Sequence, residues 1–412
     1  MNKISDNFLV KLGLFNFLLV AILGAIMRYK IVWSMPFFNQ KHLQEAHSHF
    51  AFYGWVSSVI YLLMIYSTRE TLSAKQLHTY KTFIILNFVA SYGMLFSFLY
   101  GGYYWGSIFW SAMALFLSFG MLFLWIKDYK HIQHPSKIWF LGGLFFAGFS
   151  SFGVFSLAYM KAFGIIHQSL YWASTLFYLH FQYNGFFVLS CIGIILSSLP
   201  LQQKDLYKHN LIFGAFALST LCSYTLSISW IGNSKWLLLG ISLLGNIIQL
   251  LAIYGLAHLI KKHFRVFIKK YTLLEKIIFN VVIISYLIKV LLQQISIIPE
   301  ISQWVFGFRM IVIAYLHLVL LVCVSSFLLL QIIVKYGFYR SKIVKIGVIL
   351  YLVSIILNEL VLAQIGLLSL VNMYWRWSPV MLWWISVALV LAITLIFIGL
   401  KIKNKEEFHS SL

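Results

Sequence analysis

Apolar runs of about 20 residues, each enough to cross a bilayer as a helix, recur along this chain with short charged joints between them. Twelve can be drawn, at about 8 to 28, 47 to 66, 82 to 102, 105 to 126, 138 to 160, 175 to 199, 211 to 230, 236 to 260, 277 to 297, 309 to 335, 343 to 366 and 379 to 401. The runs are too long and too uniformly apolar for barrel strands, so helices are predicted throughout. The joints at Gly101 to Tyr104 and Trp230 to Lys235 are so short that each must turn a tight antiparallel hairpin. The pattern predicts an all-α, polytopic membrane helix bundle of about twelve spans, forming one transmembrane domain over residues 1–412.

Composition agrees: 61% of the 412 residues are hydrophobic and only 10% are charged, which excludes a soluble globule with a polar surface. Basic residues gather in alternate joints. One set holds Lys3, Lys11, then Arg69, Lys75, Lys81, then Lys127, Lys130, Lys137, then Lys204, Lys208. It continues through Lys261, Lys262, Arg265, Lys269, Lys270, Lys276, then Lys335, Arg340, Lys342, Lys345, and ends with Lys401, Lys403, Lys405. The opposite joints carry only Arg28, Lys30, Lys41, Lys161, Lys235, Arg309 and Arg376. By the positive-inside rule both termini are expected to be cytoplasmic, in an integral protein of a bacterial inner membrane. The formal charge of +21 then reflects topology and attraction to anionic membrane lipids, with no nucleic-acid partner expected. Met1 to Arg28 lacks a small-residue cleavage site after a short apolar core, so it is read as the first retained span. Cys191, Cys222 and Cys323 fall far apart inside spans and read as buried packing residues.

Histidine brings in chemistry, because an imidazole in hydrocarbon calls for a ligand or a hydrogen-bond partner. Seven of the thirteen, His78, His131, His134, His209, His258, His263 and His409, sit in or beside the basic inner joints. His42, His47, His49, His167, His180 and His317 lie on the outer side or in the outer half of a span. Spans two, six and ten thus bring histidine to comparable depth. His47 and His49 stand at the outer start of span two, His180 roughly 7 Å inside span six and His317 roughly 12 Å inside span ten. Two apart on a helix, His47 and His49 point in nearly opposite directions and cannot both bind one iron axially. One is expected to face the bundle and the other a joint or a second site. Hydrogen-bonded structural histidines are the plainer alternative for each.

The segment HLQEAHSHFAFYGWVSSVIYLL, His42 to Leu63, resembles the second helix of subunit I of the haem-copper oxygen and nitric oxide reductases. In that family this helix gives one axial ligand to a low-spin haem and the tenth helix gives the other, which implies His317 in AYLHLVLL. His180 in FYLHFQYNGFF falls where the family places a histidine of its copper or non-haem iron, with Tyr183 three residues on. Arg376 in NMYWRWSP lies where the family holds arginines on haem propionates, and Arg309 at the mouth of span ten could join that clamp. An interfacial anchor between Trp375 and Trp377 explains Arg376 equally well. The resemblance implies a cytochrome or quinol as electron donor and oxygen or nitric oxide as gaseous ligand.

The departures bear on turnover. Members of the family carry a His-His pair on span seven, whereas Leu211 to Trp230 contains none, and the position two before His317 is Tyr315. The second metal site is therefore expected to be reduced, lost, or rebuilt, for example as copper on His180, His167 and His49. Tyr315 could itself bind a ferric haem as tyrosinate. Lys289 in span nine and Glu359 beside Asn358 in span eleven form either a buried ion pair, which is favoured, or part of a proton path, and Gln293, Gln294 and Glu300 add polarity near the outer end of span nine. If the chain turns over, the resemblance implies an oxidoreductase. The alternatives are a nitric-oxide-response haem and copper membrane protein without turnover, an assembly subunit, and a twelve-span secondary transporter. Against the last, no repeat relates the two halves.

Overall fold

The computed structural model describes residues 4–399 apart from 131, 166, 202, 232–233, 270 and 337–340. Lys3, His131, Lys270, Arg340, Lys401, Lys403, Lys405 and His409 lie outside the described residues. Twelve helices among them are long and apolar enough to cross a membrane. They are α1 (Asp6–Val32), α2 (Gln40–Ser67), α3 (Ala74–Gly101), α4 (Trp105–Tyr129), α5 (Lys137–Ala162) and α6 (Gln168–Leu196). The second six are α7 (Tyr207–Ile228), α8 (Lys235–Phe264), α9 (Leu273–Ile295), α10 (Arg309–Tyr336), α11 (Lys342–Leu370) and α12 (Ser378–Gly399). The described residues contain no strand. Large apolar side chains such as Phe116, Phe123, Leu251, Leu291 and Ile346 face outward from the bundle, as an integral membrane protein requires.

The apolar runs locate all twelve spanning helices, several of which start earlier than the runs do, but not the short helix Pro299–Gly307 between the ninth and tenth. In α2 the polar stretch from Gln40 is already helical, because the Asn39 side chain accepts from the backbone of Lys41 (2.8 Å) and His42 (3.3 Å). His47 therefore lies about 10 Å, and His180 about 18 Å, inside its helix, deeper than hydropathy alone indicates. The two tight hairpins are present, α3 packing on α4 and α7 on α8. At the first, Gly102 adopts φ +60°, and a Cβ there would lie 2.6 Å from the His42 ring, so the turn needs glycine twice over.

Consecutive helices pack on one another around the bundle, and α12 returns to pack on α1. Inside this ring α2, α6 and α10 touch each other. These three share a backbone feature: each turns π-helical immediately after its histidine, over Phe50–Ser57 after His49, Phe181–Phe187 after His180 and Leu318–Ser325 after His317. A wider turn misaligns carbonyls, and neighbouring side chains satisfy several of them. Asn16 of α1 donates to the Gly54 carbonyl (2.8 Å) and Asn87 of α3 to that of Tyr53 (2.9 Å). Ser325 donates to the Leu320 carbonyl (2.7 Å) and in turn accepts from the Trp55 indole (2.9 Å), joining α10 to α2.

A repeat follows that a division into halves hides. His-Phe-x-aromatic-x-Gly-aromatic occurs at 49–55 and again at 180–186, and Val-Ser-Ser stands seven residues after both His49 and His317. The three matching helices stand four apart in the order of spans.

At the basic end, Asp6 pairs with Arg69 (2.9 Å) and with Lys81, while Lys335 donates to Ser67 (2.8 Å). These bonds gather the start of α1, the end of α2, the start of α3 and the end of α10, as the alternation of charge requires. The expected Lys289–Glu359 ion pair is absent. Lys289 instead donates to Gln293 one turn along α9 (2.7 Å), and Glu359 accepts from Asn358 (2.9 Å) and feels the charge of Arg28. The two residues stand on α9 and α11, which α10 keeps apart.

Candidate functional site

Four histidines of α2, α6 and α10 are sorted by what their ring nitrogens touch. The His47 Nδ1 lies 3.1 Å from the Val20 carbonyl of α1, and the His317 Nδ1 lies 2.8 Å from the Ile313 carbonyl of its own helix. A carbonyl only accepts, so each Nδ1 carries the proton and each Nε2 keeps its lone pair. Neither Nε2 has a partner among the described residues. Arg28 of α1 is the cation whose charge bears on both imidazoles.

His49 points the other way, as the two-residue spacing demands. It donates from Nδ1 to the Glu45 carbonyl (2.9 Å), stacks on Phe98 with ring centroids 4.3 Å apart, and accepts at Nε2 from the Tyr103 hydroxyl (3.2 Å). His180 is buried and fully engaged. Its Nε2 donates to the Thr220 carbonyl (2.8 Å) and its Nδ1 accepts from the Asn184 amide (3.2 Å). The arrangement therefore leaves two ligating lone pairs free, on α2 and α10, and occupies the other two.

The copper set of His180, His167 and His49 is not assembled. His167 is exposed just before α6 begins, thirteen residues and so about 20 Å of helix from His180. No group of three or more His, Cys, Asp or Glu side chains able to hold a metal occurs among the described residues. The Tyr315 ring packs edge-on to that of Tyr183 of α6, with ring centroids 6.1 Å apart.

The arginines separate as well. Arg309 donates to Gln44 (2.6 Å), one turn outward of His47, and so bridges the outer ends of α10 and α2. Arg376 is exposed over the Trp377 ring at 5.8 Å, in the joint between α11 and α12.

Two residues of α1 belong to this site although the pattern of histidines does not point to them. Gly24 lies against His47; a Cβ there would sit 3.4 Å from Cε1, so a side chain beyond alanine takes the ring's place. Arg28 donates to the Leu382 carbonyl (3.1 Å) and the Ser386 hydroxyl (2.8 Å) of α12, holding α1 and α12 together beside the imidazole pair. A sequence signal exists: Gly24 and Arg28 are four apart, on one face of the first span, and a charged residue inside an apolar run marks a functional position.

No family model matches the chain, and no curated protein matches it.

Proposed function

We propose that this chain is a haem-binding integral membrane protein, similar in plan to subunit I of the haem-copper oxidases, in which His47 and His317 are the axial ligands. The observation that carries this reading is the pair of imidazoles on α2 and α10 whose Nδ1 protons are tied to backbone carbonyls while both Nε2 lone pairs lack a partner. That donor set fits an iron held from two sides, since a hydrogen bond from the remote nitrogen orients the ring and raises the basicity of the ligating one. When bound, haem supplies reversible one-electron chemistry there.

The residues of the chain do the rest. Val20 and Ile313 hold the two rings in the required tautomer, Gly24 leaves room for one of them, and Arg28 sets positive charge beside the pair. Arg309, bound to Gln44 at the outer rim, is placed to meet a carboxylate there. His47 and His317 would each give a nitrogen to the group, and both nitrogens of His180 are already hydrogen-bonded, so the residues here suit electron transfer better than reduction of oxygen or nitric oxide. The reading places the chain in a bacterial inner membrane, with a cytochrome or quinol as donor.

A central trio of matching helices four apart in the order of spans also sets the chain apart from two-halved carriers. Purification in mild detergent followed by a reduced-minus-oxidised visible spectrum and iron analysis tests the proposal. Sharp low-spin bands with stoichiometric iron are expected. A colourless preparation that stays so after haem reconstitution would overturn it.

A further inference from the structure

Between α8 and α9, away from the histidine pair, lies a polar cluster sealed in apolar surroundings. Lys289 is 1% exposed, Asn246 0%, Gln249 6% and Gln293 8%. The hydrogen bonds have a direction. Lys289 can only donate, so the Gln293 oxygen must face it (2.7 Å), which leaves the Gln293 amide nitrogen to donate to Asn246 (2.7 Å) and Gln249 (3.2 Å). That orientation turns the Asn246 amide nitrogen outward with no acceptor, and the Ser242 hydroxyl one turn away on the same face of α8 has no partner either.

The result is a surplus of donors. Lys289 has three N–H groups and one bonded acceptor, with the Tyr286 ring 6.0 Å from its nitrogen, and no described carboxylate pairs with it. A buried ammonium without a counter-charge is costly in hydrocarbon, as is each unsatisfied amide. One negatively charged acceptor would satisfy both.

We propose that Lys289, Asn246 and Ser242 form a binding site for a small monovalent anion of halide size within the membrane interior. On the outer side of this cluster, the start of α8 and the short helix Pro299–Gly307 that follows α9 line a pocket of about 120 Å³ with Lys235, Leu239, Ser302 and Gln303 among others. Leu239 is seven residues, or about 10 Å along α8, from Asn246, with Ser242 between them. Lys235 is the cation of that pocket, and Ser302 and Gln303 are among its polar groups. The inference stands independently of the haem reading, because it uses none of those residues.

Bromide is the probe, compared with gluconate at equal ionic strength on the full-length protein in detergent. The wild-type melting temperature rises in bromide, and that of Lys289→Met does not respond to the anion. Equal wild-type melting in both salts overturns the proposal, as does a Lys289→Met response equal to that of the wild type. Where Lys289→Met does not fold, anomalous diffraction from bromide-grown crystals decides. A bromide peak at Lys289 that disappears in Asn246→Ala supports the site, and the absence of a peak in the wild type overturns it.

Discussion

His180 and His317 occupy equivalent positions in two matching helices of the same bundle, each closing an α-helical segment just before a π-helical one, yet they end in opposite states. His180 has Asn184 four residues ahead on its own helix and the Thr220 carbonyl of α7 across from it, and both nitrogens are used. At the position equivalent to Asn184, His317 has Leu321, which donates nothing, and its Nε2 is left over. The comparison teaches that the repeated histidine supplies only a location. Whether its second nitrogen is engaged or left free depends on one side chain a turn away and on the helix opposite.

The largest test of that contrast removes each ring in turn. If the proposed haem is bound, His47→Ala or His317→Ala should abolish its low-spin spectrum, while His49→Ala and His180→Ala should retain it; loss in all four alike would make the contrast meaningless. A change that leaves every histidine in place comes next. Gly24→Leu displaces the His47 ring from α1, and we expect most of the low-spin absorbance to be lost with the protein still folded, read from visible spectra beside far-ultraviolet circular dichroism.

The bracing role of His180 predicts a stability effect in place of a spectral one. His180→Phe leaves the Asn184 amide without its acceptor and the Thr220 carbonyl without its donor, at a cost of about 1 to 3 kcal/mol, measurable as a lowered thermal midpoint. Asn184→Leu should cost less than this, because it removes a donor and leaves the His180–Thr220 bond standing. The smallest effect belongs to His134, in the joint between α4 and α5. Burial, and then the charge of Lys335, lower its pKa, and its Nδ1 accepts from the Ser136 backbone (3.2 Å). The neutral ring is the one the fold prefers, so its contribution is complete above the ordinary histidine pKa and is lost as pH falls below it. Hydrogen-exchange protection at this joint, taken relative to the intrinsic rate at each pH, should fall below about pH 6 in the wild type and lose that dependence in His134→Gln.

Much of this was legible in one dimension. Hydropathy located all twelve helices, and the His47–His49 spacing required the two rings to diverge. Less legible were the starts of the helices, since capping by Asn39 is a local hydrogen bond that hydropathy does not register. The repeat was obscured because only the His-Phe pairs with Gly54 and Gly185, and the two Val-Ser-Ser runs, survive as matching letters. Lys289 and Glu359 invited pairing as the two deep opposite charges, but a long apolar chain offers no clue to which helices are neighbours, and Arg28 proved to be the cation near Glu359.

By itself the sequence determined that this protein lives in a bilayer, how many times it can cross, and which residue types stand at which depth, because transfer from water to hydrocarbon is decided by each stretch alone. The tertiary structure decided which of the buried imidazoles keeps a free lone pair, which arginine stands beside them, and where unsatisfied donors collect. Those outcomes depend on hydrogen bonds a few ångströms long between helices far apart in the chain, such as Val20 with His47 and Thr220 with His180, and only packing brings such partners within reach.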